Sequence, residues 1–165
     1  MIKSLFQNVL VAYNGSRSSL NAVMYSILMA KIYKCRVKVV YVVDTDSIKK
    51  LTLTKFLMKD EGRTLEGDLQ MDAYKDLAYA EKLAKSKGIK IETEIRHGAV
   101  WSEVITAADE FKAELILLGG VENSSVSKMI RHGMVGKQAG EIIGSAHCSV
   151  MVVRHPKVEQ IFRIT

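Results

Sequence analysis

The chain has 165 residues, of which 48% are hydrophobic and 25% charged, so it suits a single globular domain, residues 1–165, with a sizeable core. Its apolar residues form short blocks, none near the ~18 consecutive residues that a membrane span requires. The N-terminus lacks the long apolar core and small-residue cleavage site of a secretory signal. These features predict a cytoplasmic protein without a membrane partner.

Charge and cysteine usage narrow the class of protein further. The formal net charge of +6 is dispersed, aromatic residues make up 7%, and no helix-turn-helix or zinc pattern is visible, so nucleic acid is not expected as the main partner. Cys35 and Cys148 each lie beside a predicted strand, without a partner at metal-ligand spacing. They are interpreted as buried free thiols, and no metal site is predicted.

The first third of the chain predicts two buried strands joined by a helix. Residues 8–13 form a continuous apolar run closed by a turn, which is typical of a strand covered on both faces. From Ser16, a suitable N-cap, to about Tyr33 the apolar residues recur every three or four positions, as in a helix. Residues 36–43 are rich in β-branched side chains, which predicts a second strand, ended by Asp44.

The middle of the chain predicts an excursion, a long helix and an edge strand. Residues 45–63 carry mixed charge without a clear period, which predicts a surface excursion of the kind that often covers a site. Residues 64–87 predict an amphipathic helix, and its predicted face includes Leu65, Leu69, Met71, Tyr74, Leu77, Ala78, Ala80, Glu81 and Leu83. In residues 89–98 one face consists of Ile89, Ile91, Thr93 and Ile95, and charged residues alternate with them at 90, 92, 94 and 96. This alternation indicates a strand with one wet face near a sheet edge.

The last third continues the alternation of helices and strands. Residues 100–111 predict a short helix, residues 114–120 a strand that ends in two glycines, and Ser149–Val153 a final strand before the tail, residues 155–165. A further helix is predicted from about Gly136 to Ile143. Such alternation predicts parallel βαβ units, with ligands outside the carboxyl ends of the strands where the strand order reverses.

The strand end at Gly119 and Gly120 indicates a candidate phosphate site. Glycine lets the backbone approach a ligand without a Cβ in the way, and a following helix start offers free N–H groups to an anion. The same layout also occurs as a plain tight turn, so both interpretations stay open. Asn14 and Val42 fall at neighbouring strand ends.

Four segments together resemble the universal stress protein family over nearly the full length of the chain. They are LVAYNGSRSSLNAV from residue 10, VVYVVD from residue 39, HGAVWSEVITAADEFKAELILLGG from residue 97 and CSVMVVR from residue 148. The resemblance implies a Rossmann-like α/β fold, an open five-stranded parallel sheet with helices on both faces. It also implies a homodimer joined through the last strand, Val150 to Val153, and adenine-nucleotide binding.

The sequence departs from the ATP-binding pattern of that family, which is Gly, two residues, Gly, nine residues, then Gly-Ser or Gly-Thr. Counting from Gly120, Asn123 replaces the second glycine and Gly133 is followed by Met134 instead of a hydroxyl residue. Counting back from the last strand, the helix-start glycine is Gly136, followed by Lys137. The second count is preferred because loop length varies more readily than helix and strand register.

The resemblance implies a nucleotide site at the strand ends, with the base near Asn14 and Val42 and the phosphates near the glycines. Asn14 replaces the family's usual Asp and either contacts the base or only closes the strand in a turn. Lys137 either binds phosphate or is a surface lysine. The candidate binding residues are Ala12, Asn14, Val42, Gly119, Gly120, Asn123, Gly133, Gly136, Lys137 and Gln138.

Three functions are compatible with these features. The first is a regulatory protein that binds ATP or AMP, with Mg2+ accompanying the phosphates. The second is a dimeric stress-response interaction protein of the same fold that has lost nucleotide binding, as the degenerate loop suggests. The third is an ATP-using enzyme. It is not expected, because no Ser-His-Asp set, metal cluster or paired carboxylates is visible, so no catalytic residue is predicted and any ATP hydrolysis would be incidental.

Overall fold

Five parallel strands form one open sheet in the order β3-β2-β1-β4-β5. The computed structural model describes residues 4–120 and 138–165. The strands are β1 (Asn8–Tyr13), β2 (Arg36–Val43), β3 (Glu92–His97), β4 (Leu115–Gly119) and β5 (Ser149–Val153). The parallel α/β architecture expected from the sequence is therefore confirmed, including the position of β3 at a sheet edge.

Helices cover both faces of this sheet. They are α1 (Arg17–Tyr33), α2 (Thr45–Leu53), α3 (Lys59–Ser86), α4 (Val100–Phe111), the helical residues 138–145 (α5) and α6 (Val158–Ile164). One core joins α1, α3 and α6 to strand residues such as Val9 and Val11, and the second joins α4 and α5 to Leu10 and Ile116. Strands covered on both faces need continuous apolar runs, which is why β1, β4 and the second half of β2 show no period of two.

The predicted excursion at residues 45–63 is largely helical. Asp44 caps α2 by accepting hydrogen bonds from the Ser47 backbone N–H at 3.0 Å and from the Ser47 hydroxyl at 2.7 Å. The next helix, α3, begins at Lys59 and not at residue 64. Gly62 explains the difference, because it is buried against α2, with the position of an added Cβ 3.1 Å from Thr52 Oγ1. A glycine contributes nothing to an apolar period, so the sequence pattern missed this contact.

The buried face of α3 also differs from the prediction. Met71 and Tyr74 are 70% and 62% exposed, so neither belongs to the core face. The buried positions are Gly62, Ala73, Leu77, Ala80 and Ala84. Leu77 and Ala80 were on the predicted face, so the prediction is correct in part. Small side chains allow α3 to lie close to the sheet, and a pattern search that favours large apolar residues gives the buried alanines too little weight.

The predicted tail is an ordered element. Within residues 155–165, α6 buries Val158 and Phe162 in the core shared with α1 and α3. The ammonium group of Lys87 also lies 4.7 Å from the centre of the Phe162 ring. None of the helices in residues 4–120 and 138–165 is both long enough and apolar enough to cross a membrane.

Candidate functional site

The strand order reverses at the carboxyl ends of β1 and β4, and a cleft opens there. From β1 the chain moves through α1 to β2 on one side, whereas α4 leads into β4 on the other side of β1. Connections that diverge in this way leave a crevice at the strand ends, where open α/β sheets bind ligands. The cleft has a volume of about 260 Å³.

The cleft is apolar inside and polar at its mouth. Its inner wall is made by Ala12, Val40, Val42, Val43, Leu69, Val100, Val104, Leu118, Ala139 and Ile142. Its polar lining comes from Asn14, Ser16, Ser18, Ser19, Asp44 and Gln138, beside Tyr13, Tyr41 and Gly119. A slot of this kind suits a flat, largely apolar ligand group whose polar remainder lies at the strand ends.

The β1–α1 turn, residues 14–19, is tied together by side-chain hydrogen bonds. Asn14 Oδ1 accepts from the Ser16 backbone N–H at 3.0 Å and from the Ser19 hydroxyl at 2.8 Å. The Ser16 hydroxyl donates to Ser19 Oγ at 2.9 Å, and Ser16 Oγ accepts from the Ser19 backbone N–H at 3.2 Å, which caps α1. The turn-forming role of Asn14 is therefore present in the structure.

Two buried tyrosines support this turn from below. The Tyr41 hydroxyl donates to the Asn14 carbonyl at 3.2 Å, and the Tyr13 and Tyr41 rings meet edge to face with centroids 5.9 Å apart. Burial raises the pKa of Tyr13 to about 12, and Asp76 adds to the shift. Burial and the same carboxylate also raise the pKa of Tyr41. Both hydroxyls are therefore protonated at neutral pH and available as donors.

Packing alone requires a glycine at position 119, whether or not a ligand binds. A Cβ at this position would lie 2.5 Å from Ser18 C and Ser19 N, so the first turn of α1 rests directly on the end of β4. At Gly120 a Cβ would lie 3.3 Å from Arg154 Cγ and 3.4 Å from the Val153 carbonyl. The two glycines thus bring β4 close to α1 on one side and to the end of β5 on the other.

Gln138 connects two walls of the cleft. Its Oε1 accepts a hydrogen bond from the Trp101 backbone N–H at 3.1 Å, in the first turn of α4. The N-cap residue of α4, Ala99, offers no side-chain acceptor, so Gln138 satisfies one N–H that the helix leaves unpaired. The start of the described part of α5 is held against α4 by this contact.

The structure brings together half of the sequence-predicted binding residues. Ala12, Asn14, Val42, Gly119 and Gln138 all line the cleft, and Gly120 adjoins it. The predictions for Asn123, Gly133, Gly136 and Lys137 lie outside the described residues.

Several groups at the mouth of the cleft were not predicted from the sequence. Ser16 was predicted only as a helix cap, and Ser18 and Ser19 were given no role in the site. All three serines line the cleft. Arg154, which follows β5, packs on Gly120. The spacing of hydroxyls directly after the first strand was the available signal for the serines. The position of Arg154 depends on the pairing of β4 with β5.

The described part of the chain contains no cluster of side chains typical of a protein metal site. There, no three or more His, Cys, Asp or Glu side chains are arranged to hold a metal ion. Cys35 is a buried free thiol, and Cys148 is free but only half-buried. Burial raises the pKa of both thiols, so neither is an activated nucleophile.

A doubly wound parallel sheet with a cleft at its switch point defines a Rossmann-like α/β protein with a candidate ligand site. The family model described as the universal stress protein family matches residues 5–154. The chain therefore belongs to the universal stress protein family.

Relatives and solved structures agree with this assignment. Universal stress protein MJ0531 of Methanocaldococcus jannaschii is 29% identical over 163 residues, 95% of this chain and 87% of the relative. A universal stress protein solved in complex with cAMP is 24% identical, with a TM-score of 0.62 over 92% of this chain and 99% of that one. The Arabidopsis thaliana family protein At3g01520, solved with AMP bound, is 13% identical, with a TM-score of 0.63 over 92% and 94%.

Proposed function

We propose that the cleft binds an adenine nucleotide and that the protein is a nucleotide-responsive regulatory module. The observation that carries the proposal is the apolar slot at the β1/β4 switch point, with the N-terminal turn of α1 at its mouth. Adenine nucleotides occupy the two structural neighbours described above. Their identity to this chain is below 25%, so the ligand is an inference from the site and the shared fold together.

The dimensions and polarity of the cleft fit the nucleoside part of such a ligand. At about 260 Å³ it lies near the small end of ligand pockets, which run from roughly 300 Å³ upward. The base would lie between the valine side chains of β2 and the residues of α4 and α5 that face them. The ribose and phosphates would then remain at the mouth, above the serines of the β1–α1 turn.

The phosphates would meet positive charge at this mouth. The first turn of α1 carries the positive end of a 17-residue helix, and Arg154 lies against Gly120. Lys137, outside the described residues, is the further candidate from the sequence. We expect Arg154→Gln to weaken the binding of ATP more than the binding of AMP, since ATP carries more negative charge. Arg163→Gln, which changes an exposed arginine paired with Glu159, is the matched control.

Calorimetric titration of nucleotide-stripped protein with ATP and AMP, each with and without Mg2+, tests the proposal directly. Micromolar binding of either nucleotide supports it, and a gain with Mg2+ for ATP alone would indicate a metal accompanying the phosphates. Lys137→Ala with unchanged affinity would remove that lysine from the site. If no nucleotide produces heat or a shift in thermal stability, the proposal is wrong.

A cleft-filling variant shows whether binding occurs at this place. Ala12 lines the slot at the end of β1, so Ala12→Leu adds bulk where the base would lie. Ala78→Leu adds the same atoms to an exposed position of α3 and should leave binding unchanged. Equal affinity in wild type and Ala12→Leu would place any nucleotide elsewhere.

A second candidate function is a dimeric interaction protein that binds no nucleotide. Asn14 Oδ1 already accepts two hydrogen bonds within its turn, and Gly119 is explained by packing on α1, so neither residue requires a ligand. The β5 strand lies at the open edge of the sheet with only partial burial from Val150 to Val152. An apolar edge of this kind favours pairing with a second copy.

Light scattering at micromolar concentration separates the two candidates when it is combined with the titration. A dimer without nucleotide binding supports the interaction protein. A dimer with nucleotide binding is compatible with the regulatory module. A monomer contradicts the proposed Val150 to Val153 interface in either case.

A further inference from the structure

The turn between α2 and α3 displays three apolar side chains that are at least 70% exposed. Leu53, at the end of α2, is 72% exposed, Phe56 in the turn is 80% exposed, and Met58 at the start of α3 is 70% exposed. We call residues 51–59 the α2–α3 tip. Three large apolar groups within six residues exceed the scattered single exposures that are normal on a protein surface.

The backbone of the α2–α3 tip is ordered by hydrogen bonds. The Phe56 N–H donates to the Leu51 carbonyl at 3.0 Å and the Lys55 N–H to the Thr52 carbonyl at 3.2 Å, with Lys55 at φ 62°. These two bonds define a Schellman cap, in which the residue at the Phe56 position commonly packs back on the helix. Here Phe56 points outward from a fixed turn, so its exposure does not come from an unstructured loop.

Positive charge surrounds these apolar groups. Lys49, Lys55 and Lys59 are exposed and pair with no acidic side chain in residues 4–120 and 138–165, whereas Lys50 pairs with Asp46 at 3.0 Å. The nearby acids Asp60 and Glu61 lie in the first turn of α3, where the helix dipole favours them. Lysines thus precede, interrupt and follow the apolar residues along the chain.

We propose that the α2–α3 tip docks on the surface of an anionic lipid bilayer. Phe56, Leu53 and Met58 would enter the boundary between headgroups and acyl chains, while the lysines lie among the phosphate headgroups. Long lysine side chains suit this position because the ammonium can reach the headgroups as the stem lies along apolar surface. This proposal departs from the sequence prediction of no membrane partner, which rested on the absence of a spanning segment. Contact with the bilayer surface requires no span, and the tip is separate from the cleft proposed to bind nucleotide.

The composition of the tip favours lipid over a protein partner. The cores of protein interfaces are enriched in aromatic residues, Met and Arg and depleted in Lys, whereas this tip contains Lys55 and Lys59 next to its most exposed apolar residues. A bilayer surface offers many mobile anionic groups, which unpaired lysines can meet without fixed geometry. We therefore choose the lipid surface as the occupant.

Co-flotation of the purified full chain with vesicles tests the proposal. One set contains phosphatidylcholine alone, and the other also contains phosphatidylglycerol. We expect binding to the anionic vesicles only, weakened by high salt. Phe56→Ser should reduce the partition coefficient by at least about tenfold, because a phenylalanine is among the most favourable side chains to bury. Lysine-to-glutamine changes at Lys49, Lys55 and Lys59 should each reduce it by about fivefold.

Matched changes elsewhere on α3 are the controls. Tyr74→Ser removes an aromatic ring that is 62% exposed, and Lys82→Gln removes an exposed charge, both far along the helix from the tip. Both variants should float like the wild type. Urea unfolding verifies that Phe56→Ser is folded, which is expected because its side chain contacts mainly water.

Three outcomes would overturn the proposal. The first is wild-type protein that stays unbound on both kinds of vesicle. The second is equal flotation of wild type and Phe56→Ser, or equal binding to neutral and anionic vesicles. The third is vesicle-independent self-association, seen by light scattering and abolished by Phe56→Ser, which would assign the tip to a second copy of the chain.

Discussion

The β1–α1 turn and the α2–α3 tip are both short and held by hydrogen bonds, but their side chains differ. Those of the first turn are hydrogen-bonded to one another, and those of the second are exposed. In the first, Asn14, Ser16 and Ser19 bond to one another, and Gly119 of β4 lies directly beneath the helix start. In the second, backbone hydrogen bonds hold the turn while Phe56 is 80% exposed. Backbone order and side-chain burial are therefore separate properties in this molecule.

The difference has a functional meaning. A turn with satisfied side chains and close packing keeps the cleft in a fixed shape, which would lower the cost of ordering if a ligand binds there. A turn with a fixed backbone and exposed apolar groups leaves those groups available for the proposed contact outside the chain. Changes in the first turn should thus affect stability, and changes in the second should affect association.

Gly119→Ala should have the largest effect on stability. Its Cβ would lie 2.5 Å from backbone atoms of Ser18 and Ser19, and backbone cannot move aside as a flexible side chain can. We expect destabilisation of about 3 kcal/mol or more, at the upper end of overpacking effects. Urea denaturation measures it.

Gly67→Ala is the matched control for that variant. Gly67 is exposed in α3, and nothing lies within 4 Å of its added Cβ. This change should stabilise the protein by about 0.5–1 kcal/mol, because alanine is the better helix former. If Gly119→Ala were as stable as Gly67→Ala, the close contact between α1 and β4 would be contradicted.

Asn14→Ala should come next. It removes the Oδ1 acceptor of the Ser16 N–H and Ser19 hydroxyl, so we expect a loss of about 1–2 kcal/mol, measured by urea denaturation. Asn14→Asp keeps both acceptor contacts and should cost much less. Titration of Asn14→Asp with ATP and AMP then asks a separate question, whether the residue contacts ligand in addition to closing the turn. An Ala variant as stable as wild type would show that these bonds contribute nothing.

Tyr41→Phe should have a smaller effect and a distinctive pH dependence. At neutral pH it loses the hydrogen bond to the Asn14 carbonyl, which is worth about 1 kcal/mol. Tyr13 and Tyr41 hold their protons more tightly when folded, with the pKa of Tyr13 raised from 10.0 to about 12. Their contribution to stability is therefore complete below pH 10 and decreases as the pH rises above it.

The variant has one such group fewer, so its stability should decrease less steeply above pH 10 than that of the wild type. Tyr25→Phe, on α1, is the comparison. Thermal unfolding across this pH range measures both slopes. Parallel curves for Tyr41→Phe and wild type would contradict the buried, neutral state of Tyr41.

The sheet was predictable from the sequence because its signals are local. Residues 8–13 form an apolar run and residues 36–43 are rich in β-branched side chains, and the structure places β1 and β2 over the same residues. The buried face of α3 was predictable only in part, because Leu77 carries an apolar signal whereas Gly62 and the alanines carry only a weak one. The helix in the tail was missed because its burial depends on α1, far away in sequence.

The lining of the candidate site was predictable at the strand ends and not at the mouth of the cleft. Asn14, Val42 and Gly119 follow from the rule that ligands lie at the carboxyl ends of parallel strands. That Gly119 also supports α1 is a tertiary contact, and no local pattern reports it. The same holds for Gln138, whose bond to the Trp101 N–H links residues 37 positions apart.

Lys55→Gly should have the smallest effect on stability. It distinguishes most directly between the backbone order of the tip and the exposure of its side chains. Lys55 holds φ 62°, a conformation that glycine adopts without the steric cost to other residues. After allowance for the greater freedom of glycine in the unfolded chain, we expect stabilisation by a few tenths to about 1 kcal/mol. Lys34→Gly, at φ 58° after α1, should give a similar gain by urea denaturation. Only Lys55→Gly should also weaken flotation with anionic vesicles, because it alone removes a charge from the tip while leaving Phe56 displayed. If Lys55→Gly gains stability and floats like the wild type, the apolar groups bind the vesicles without Lys55. If it loses stability, the charge of Lys55 contributes more to this turn than its backbone conformation costs.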